Sequence, residues 1–459
     1  MPPNNIKTRP APASFQTNSA TVTHPTGEAM IHEKSVVKVA MNGQGVLGRR
    51  GFLKGLGLGA AGLMGLSFSD LMAVHADDLR KRQMACILLW MQGGPSQFET
   101  FDPKPDHKNG GETAVIDTAV PGVKIAKGWE KTAAAMKDIA LIRSMTNKEG
   151  NHQRATYQLH TGYSPTGTVK HPAFGCVAAA ELGDPKFDLP HIVSIGGLSV
   201  GAGLLGVAYE PFNIGNPSQP PTNVRPPVGP ERFVRRMGLL QELESEGFEK
   251  AGGKDRVKEH HAVYKQTQNM VLSPRMKAFD LEGEESVLRD AYGRNPFGQG
   301  CLLARRLVEA GVTFVEVRSG GWDMHQKVHD NMAKNAGSVD PGFGTLVTDL
   351  KQRGLLDRTL VVWMGEFGRT PKVNPNAGRD HFPRVFNVAL AGGGIKGGQV
   401  IGASSDAGTE VKDRPVNVND LLTTFCHSLK IDPKKENMSS LGRPIKIVDG
   451  GTAVKELFA

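Results

Sequence analysis

Four cysteines in 459 residues is few, and no two are spaced as a Cys-x-x-Cys pair. That excludes a zinc ribbon, a thioredoxin-type redox motif and a disulfide-stapled scaffold. Cys86, Cys176, Cys301 and Cys426 each sit among small or apolar residues, as small core side chains do, and one disulfide among them stays open at this level. Aromatic residues are also sparse, at 6%. Lys and Arg outnumber Asp and Glu by 55 to 46, but the excess is scattered and never forms a basic stripe interleaved with aromatics. Nucleic acid is therefore not an expected partner. After residue 76 no apolar run approaches the ~20 residues that a membrane-spanning helix needs.

What is present begins with an address. Residues 48–76 read GRRGFLKGLGLGAAGLMGLSFSDLMAVHA: an arginine pair, a weakly hydrophobic Gly/Ala/Leu run and a small-residue end at Val74-His75-Ala76. An amphipathic helix would show a polar face, and this run has none. The layout is that of a signal peptide, and Arg49-Arg50 resembles the twin-arginine export signal. The expected location is periplasmic or extracellular. Residues 1–47 are polar and are expected to be disordered, with Met41 the more usual start for such a signal.

From residue 77 the pattern is that of one α/β domain running to 459. Continuous apolar runs of strand length occur at 84–91, 138–145, 191–196, 312–320, 359–365 and 386–392. Helical stretches at 171–182, 231–246, 297–310, 328–353 and 417–429 separate several of them. Apolar strands alternating with helices predict a mostly parallel central sheet with helices on both faces. Residues 211–230 are rich in Pro, Asn and Gly and read as a surface loop, and 231–290 are charged and helical. The two form an insertion over about 200–295.

In open α/β sheets, ligands bind at the carboxyl ends of the strands. Three strand ends carry polar clusters here, two just after a strand and the third just before the run at 386–392. RSGGWDMHQKVHDN supplies Asp323, His325 and, less directly, His329; GEFGRTP supplies Glu366 and Arg369; NAGRDHFPR supplies Asp380 and His381. Imidazole and carboxylate are the usual ligands of zinc and other first-row divalent ions. If the loops converge, Asp323, His325, Glu366, Asp380 and His381 make an N/O site for a divalent metal such as zinc, manganese, calcium or iron. Without a metal, Glu366 and Arg369 would simply be a structural ion pair.

The order of these clusters, with a helix entered through NHQRATYQLHTG (151–162), resembles the alkaline phosphatase and sulfatase superfamily. More narrowly, GGPSQFETFDPKP, GGWDMHQ, GEFGRTP and GRDHFP resemble family 1501 of domains of unknown function, exported and sulfatase-like, over about residues 84–450. The resemblance implies an alkaline phosphatase-like fold and a divalent-metal site where a sulfate or phosphate ester is hydrolysed, on a small molecule or a polysaccharide. The match is partial. Where the superfamily has a metal-binding Asp after the first strand, this chain has Gln92, although Glu99 or Asp102 lies near. Where it has a hydroxyl or modified-cysteine nucleophile, this chain has His152, and the Cys-x-Pro-Ser-Arg signature is absent. His152 is open to roles as ligand, general acid, nucleophile or local cap, with Thr156 an outside candidate for the hydroxyl. Arg154 and Arg369 offer forked donors suited to an anion. The expected activity is metal-dependent ester hydrolysis; the alternative is a binding protein on the same scaffold with a degenerate site.

Overall fold

The first strand shows why the sheet is covered on both faces. Side chains alternate along a strand, and in β1 (Ala85–Met91) Ala85, Ile87, Leu89 and Met91 enter one apolar cluster while Cys86, Leu88 and Trp90 enter another. The computed structural model describes residues 83–458 apart from 223, 248–253 and 440. The expected export segment and the polar extension before it lie outside the described residues.

The remaining strands of the central sheet are β2 (Ile139–Thr146), β3 (Ile192–Ile195), β4 (Phe212–Ile214), β5 (Phe314–Ser319), β6 (Thr359–Met364), β7 (Phe386–Ala391), β8 (Val400–Ile401) and β9 (Val416–Asn417). Their spatial order is β8-β2-β7-β6-β1-β5-β3-β4, with β9 also pairing with β2. Every pairing is parallel except those of β7, which runs antiparallel to both β2 and β6. The sheet is thus mostly parallel, as expected, with one reversed strand that the sequence pattern does not reveal.

The longer helices cover the sheet or build the insertion: α1 (His152–Thr161), α2 (Phe174–Leu182), α3 (Pro230–Gly247), α4 (Lys254–Leu272), α5 (Pro296–Ala310), α6 (Val328–Gln352) and α7 (Val418–Leu429). Side chains of α5 and α6, such as Leu302 and Phe343, fill the cluster on one face of the sheet. Leu159 of α1, Phe174 of α2 and Phe425 of α7 fill the other. The four cysteines are buried and free, which fits their reading as core side chains.

The region read as a surface loop at 211–230 needs correction. Phe212–Ile214 forms β4, the edge strand, paired in parallel with β3. The rest of the insertion holds α3 and α4, and Met270, Ala278, Phe279 and Leu281 join the core on the α5–α6 side. Among the described residues no helix is long and apolar enough to cross a membrane.

Because β1, β2, β5 and β6 all point the same way, their carboxyl ends deliver Gln92, Asn147, Gly320 and Gly365 to one edge of the sheet.

Candidate metal centre

Each loop at that edge is fixed by something local. Asn151 caps α1, its side chain accepting the Arg154 N–H at 3.2 Å, and Gly162 closes the helix with φ of 78°. An Asn cap and a left-handed glycine are strong end signals, so His152 is held at the first helical position. After β5, Trp322 is buried against Trp129 and Trp363, with ring centroids 6.3 and 6.1 Å away. Removing a core Trp typically costs about 3–5 kcal/mol, so this anchor sets where Asp323 and His325 can go. After β6, the fully buried Glu366 accepts the Gly93 N–H at 2.9 Å. Gly93 has φ of 119°, and a Cβ there would lie 2.4 Å from the Asp323 nitrogen, so only glycine serves. A two-residue antiparallel ladder pairs His381 with Arg369 and Phe382 with Gly368, bringing the last loop in.

The loops converge. His325 Nδ1 lies 2.8 Å from Asp380 Oδ1, His381 Nδ1 2.8 Å from the Gly150 carbonyl oxygen, and His152 Nδ1 2.7 Å from Glu366 Oε1. Carbonyls and carboxylates only accept, so each Nδ1 carries the hydrogen and each neutral ring presents a bare lone pair at Nε2. All three lone pairs turn to one carboxylate. His325 Nε2 is 3.0 Å and His381 Nε2 3.2 Å from Asp323 Oδ1, while His152 Nε2 is 3.3 Å from Asp323 Oδ2. His325 Nε2 and His381 Nε2 are themselves 3.1 Å apart. His152, Asp323 and His381 keep one ligand atom each within 4.8 Å of the others.

Acceptors that face acceptors repel, and a cation reconciles them. The buried atoms His152 Nε2 and Glu366 Oε2 have no hydrogen-bond partner, which agrees with a centre arranged for something other than hydrogen bonding. Imidazoles whose far nitrogens are held by carboxylate or carbonyl are the usual dress of a divalent metal site. The residues therefore fit such an ion.

Protonation follows the same geometry. The Glu366 hydrogen bond lifts His152 above the ordinary histidine value, against partial burial. Burial chiefly pulls His381 down. Partial burial would raise Asp323, but the Arg369 hydrogen bond at 2.6 Å and charge outweigh it and hold the group at about 2. Asp380 is lowered by its bond to His325.

Arg369 is placed differently from the expectation that it grips a substrate anion. Its guanidinium is fully buried and donates to Gly94 O at 2.8 Å, Arg379 O at 3.1 Å, Gly93 O, Trp322 O and Asp323. It holds Asp323 and the loop carbonyls, and Glu366 turns to His152 rather than to it. Arg154 is paired at the surface with Glu149. Glu99 and Asp102 do not reach back to the cluster: Glu99 binds the buried Arg379 at 2.8 Å, and Asp102 binds Ser404 and Lys104. His329 lies 3.8 Å from Glu99, apart from the cluster. Thr156 lines a cleft of about 680 Å³ beside it, together with Gln92, His152, Arg318, Asp323 and Glu366.

Beneath this cleft is a second polar group that the sequence reading missed. Glu316 is buried on β5 and accepts from Arg318 Nη1 at 2.8 Å and from the Ser199 hydroxyl, with His160 Nε2 3.4 Å away. Burial opposes its charge, but these partners outweigh that and keep it below the ordinary carboxylate value. The signal was available in VTFVEVRSG, where a Glu and an Arg two apart share one face of a core strand.

Residues 83–458 match the family described as Protein of unknown function (DUF1501). The chain belongs to this family. Among curated proteins none matches. Solved structures with some likeness include the PsFucS1 sulfatase from Pseudoalteromonas sp., at 15% identity over 79% of this chain and 70% of that one, TM-score 0.36. The phosphonate monoester hydrolase SpPMH from Silicibacter pomeroyi is 13% identical over 82% and 77%, TM-score 0.34. Ps i-CgsB in complex with k-i-k-neocarrahexaose is 12% identical over 76% and 72%, TM-score 0.36. Likenesses this distant carry no argument about substrate or mechanism.

Proposed function

We propose that this chain is an exported metal-dependent hydrolase of the alkaline phosphatase and sulfatase type, acting on a sulfate or phosphate ester of a small molecule or polysaccharide. The observation that carries the reading is the convergence of three histidine Nε2 lone pairs on the Asp323 carboxylate beside an open cleft. His152, His325, His381 and Asp323 would hold the ion. Glu366, Asp380 and the Gly150 carbonyl would orient the imidazoles from behind, so Glu366 and Asp380 act through histidines rather than as ligands. Such an ion supplies Lewis-acid polarisation of an ester oxygen and a lowered pKa for bound water. The chain's own groups do the positioning. Arg369 neutralises and aims Asp323, Phe367 packs under His152 and His381 at 4.9 and 4.6 Å, and Glu366 keeps the His152 hydrogen on Nδ1. Of the roles open to His152, this reading takes that of ligand over those of general acid, nucleophile or local cap. The competing reading, a binding protein, draws on the absence of a hydroxyl at that helix start.

Elemental analysis of protein purified without chelator or metal-affinity resin tests the proposal. One or two equivalents of zinc, manganese, calcium or iron per chain are expected, followed by turnover in a screen of aryl sulfates and phosphates. Folded protein that stays metal-free after incubation with those ions would leave the binding reading.

A further inference from the structure

Among the described residues that line the cleft, Arg318 is the one Arg or Lys. We propose that Arg318 recognises the tetrahedral oxyanion of the substrate, sulfate or phosphate, while the linkage to be cleaved lies towards Asp323 and the histidines. This rests on the metallohydrolase reading and adds to it the residue that takes the substrate's charge.

Three observations support the assignment. The first is preorganisation. Arg318 Nη1 donates to Glu316 Oε1 at 2.8 Å and Nη2 to Gln92 Oε1 at 3.2 Å. Glu316 is itself pinned by the Ser199 hydroxyl, and the His160 ring, fixed by its Nδ1 on the Thr156 carbonyl at 2.8 Å and packed 4.3 Å from Trp90, lies beside it. The stem lies against Gly197, where an added Cβ would come within 3.2 Å of Arg318 Cδ. A fork held in this way loses little freedom when it meets a ligand.

The second is donor capacity. Of the five guanidinium N–H groups, two serve Glu316 and Gln92, and the other three have no protein acceptor among the described residues. Arg369 offers the opposite case, with its guanidinium taken up by backbone carbonyls and Asp323. A forked donor set matches two oxygens of an oxyanion.

The third is room. Glu316 is buried below the strand end, while Arg318 keeps 9% of its side-chain surface exposed and lines the cleft. Gly320 adds no side chain to the wall, and a Cβ built there would meet nothing within 4 Å. The carboxylates of Asp323 and Glu366 in the same cleft would repel an anion, and the oxyanion is tolerated there because Arg318 and the ion at the histidines offset them.

Calorimetric titration of the full protein with inorganic phosphate, inorganic sulfate and acetate, each at low ionic strength, tests this, with metal content measured on the same samples. Wild type should bind phosphate or sulfate more tightly than acetate, and whichever of the two binds better indicates the ester type. Arg318→Gln should weaken that binding at least tenfold, and Arg318→Lys should fall between. Since removing Arg318 leaves Glu316 buried with fewer partners, the double variant Glu316→Gln/Arg318→Gln keeps the test open if the single variant does not fold. Unchanged phosphate and sulfate binding in the variants, no binding by wild type, or acetate bound as tightly as either oxyanion would overturn the assignment. A metal-free wild type whose oxyanion binding still depends on Arg318 would instead remove the metallohydrolase reading and leave Arg318 as an anion site.

Discussion

His325 Nε2 and His381 Nε2 face each other across 3.1 Å, and in their neutral forms neither carries a hydrogen there. The two residues come from loops 56 positions apart, one after β5 and one before β7. Their far nitrogens are fastened by Asp380 and by the Gly150 carbonyl, so neither ring can flip its donor inward without giving up a bond of 2.8 Å. The protein thus holds two lone pairs against each other, and the Asp323 carboxylate adds a third acceptor. A cation relieves all three.

Removing either imidazole should therefore remove the ion. His325→Ala or His381→Ala is expected to retain less than about a tenth of the wild-type metal content, with an unchanged far-UV circular dichroism spectrum, since both side chains lie at the edge of the core. Full metal occupancy in either variant would strike that histidine from the ligand set.

Groups that act from behind should behave in a graded way. Asp380→Asn and Glu366→Gln each keep an oxygen able to accept the Nδ1 hydrogen but lose the charge that makes the imidazole more basic. Outer partners of this kind are typically worth 10- to 100-fold in metal affinity. Competition with a chelator of known affinity should show weakening of about that size for both variants. Loss as complete as in His381→Ala would make Glu366 or Asp380 a direct ligand.

Arg369 should act on the fold as much as on the site. Its buried guanidinium ties together the loops after β1, β5 and β6 and neutralises Asp323. Asp323 is half exposed, so the loss comes mainly from leaving buried carbonyls without their charged donor, typically about 1.5–3 kcal/mol, and Lys cannot reproduce the fork. Urea unfolding of Arg369→Ala should show a loss of about that size, and Arg369→Lys should recover little of it. A change within about 0.5 kcal/mol would mean that backbone carbonyls and water satisfy one another there.

Much of this was legible in the chain, for identifiable reasons. The strands at 85–91, 139–146, 314–319 and 359–364 are buried on both faces, so their apolar runs are continuous and their limits fall within two residues of the pattern. The direction of β7 was not legible, because an apolar hexapeptide reads the same whichever way it runs. Nor was β4, since three residues of edge strand inside a Pro- and Asn-rich stretch carry no periodicity. Asp323, His325 and Glu366 stood out as polar residues just past strand ends, and His381 as one just before a strand. What sequence could not supply was the division of labour among them. That Arg369 turns inward and Arg318 lines the cleft depends on side-chain partners far apart in the chain, Gly94 in one case and Gln92 in the other.

The pH response gives the last prediction, and it has two limbs of opposite sign. Glu366 lifts His152 above its ordinary value of about 6.5. In metal-free protein the protonated ring is the stabilised form, so its contribution is fully present below that ordinary value and is lost as pH rises through the raised one. Metal needs the same Nε2 as a lone pair, so affinity should fall as pH drops through the raised value, by about one decade per pH unit for a single competing proton. Raising the pH should therefore weaken the metal-free fold while tightening metal binding. Thermal unfolding in chelator and calorimetric metal titration, both from pH 6 to 8.5, measure the two limbs. Glu366→Gln removes the charge that lifts His152, so both breaks should move to lower pH together. If the metal break stayed in place while the stability break moved, His152 would not be a ligand, and the proton lost on metal binding would have to come from His325 or His381.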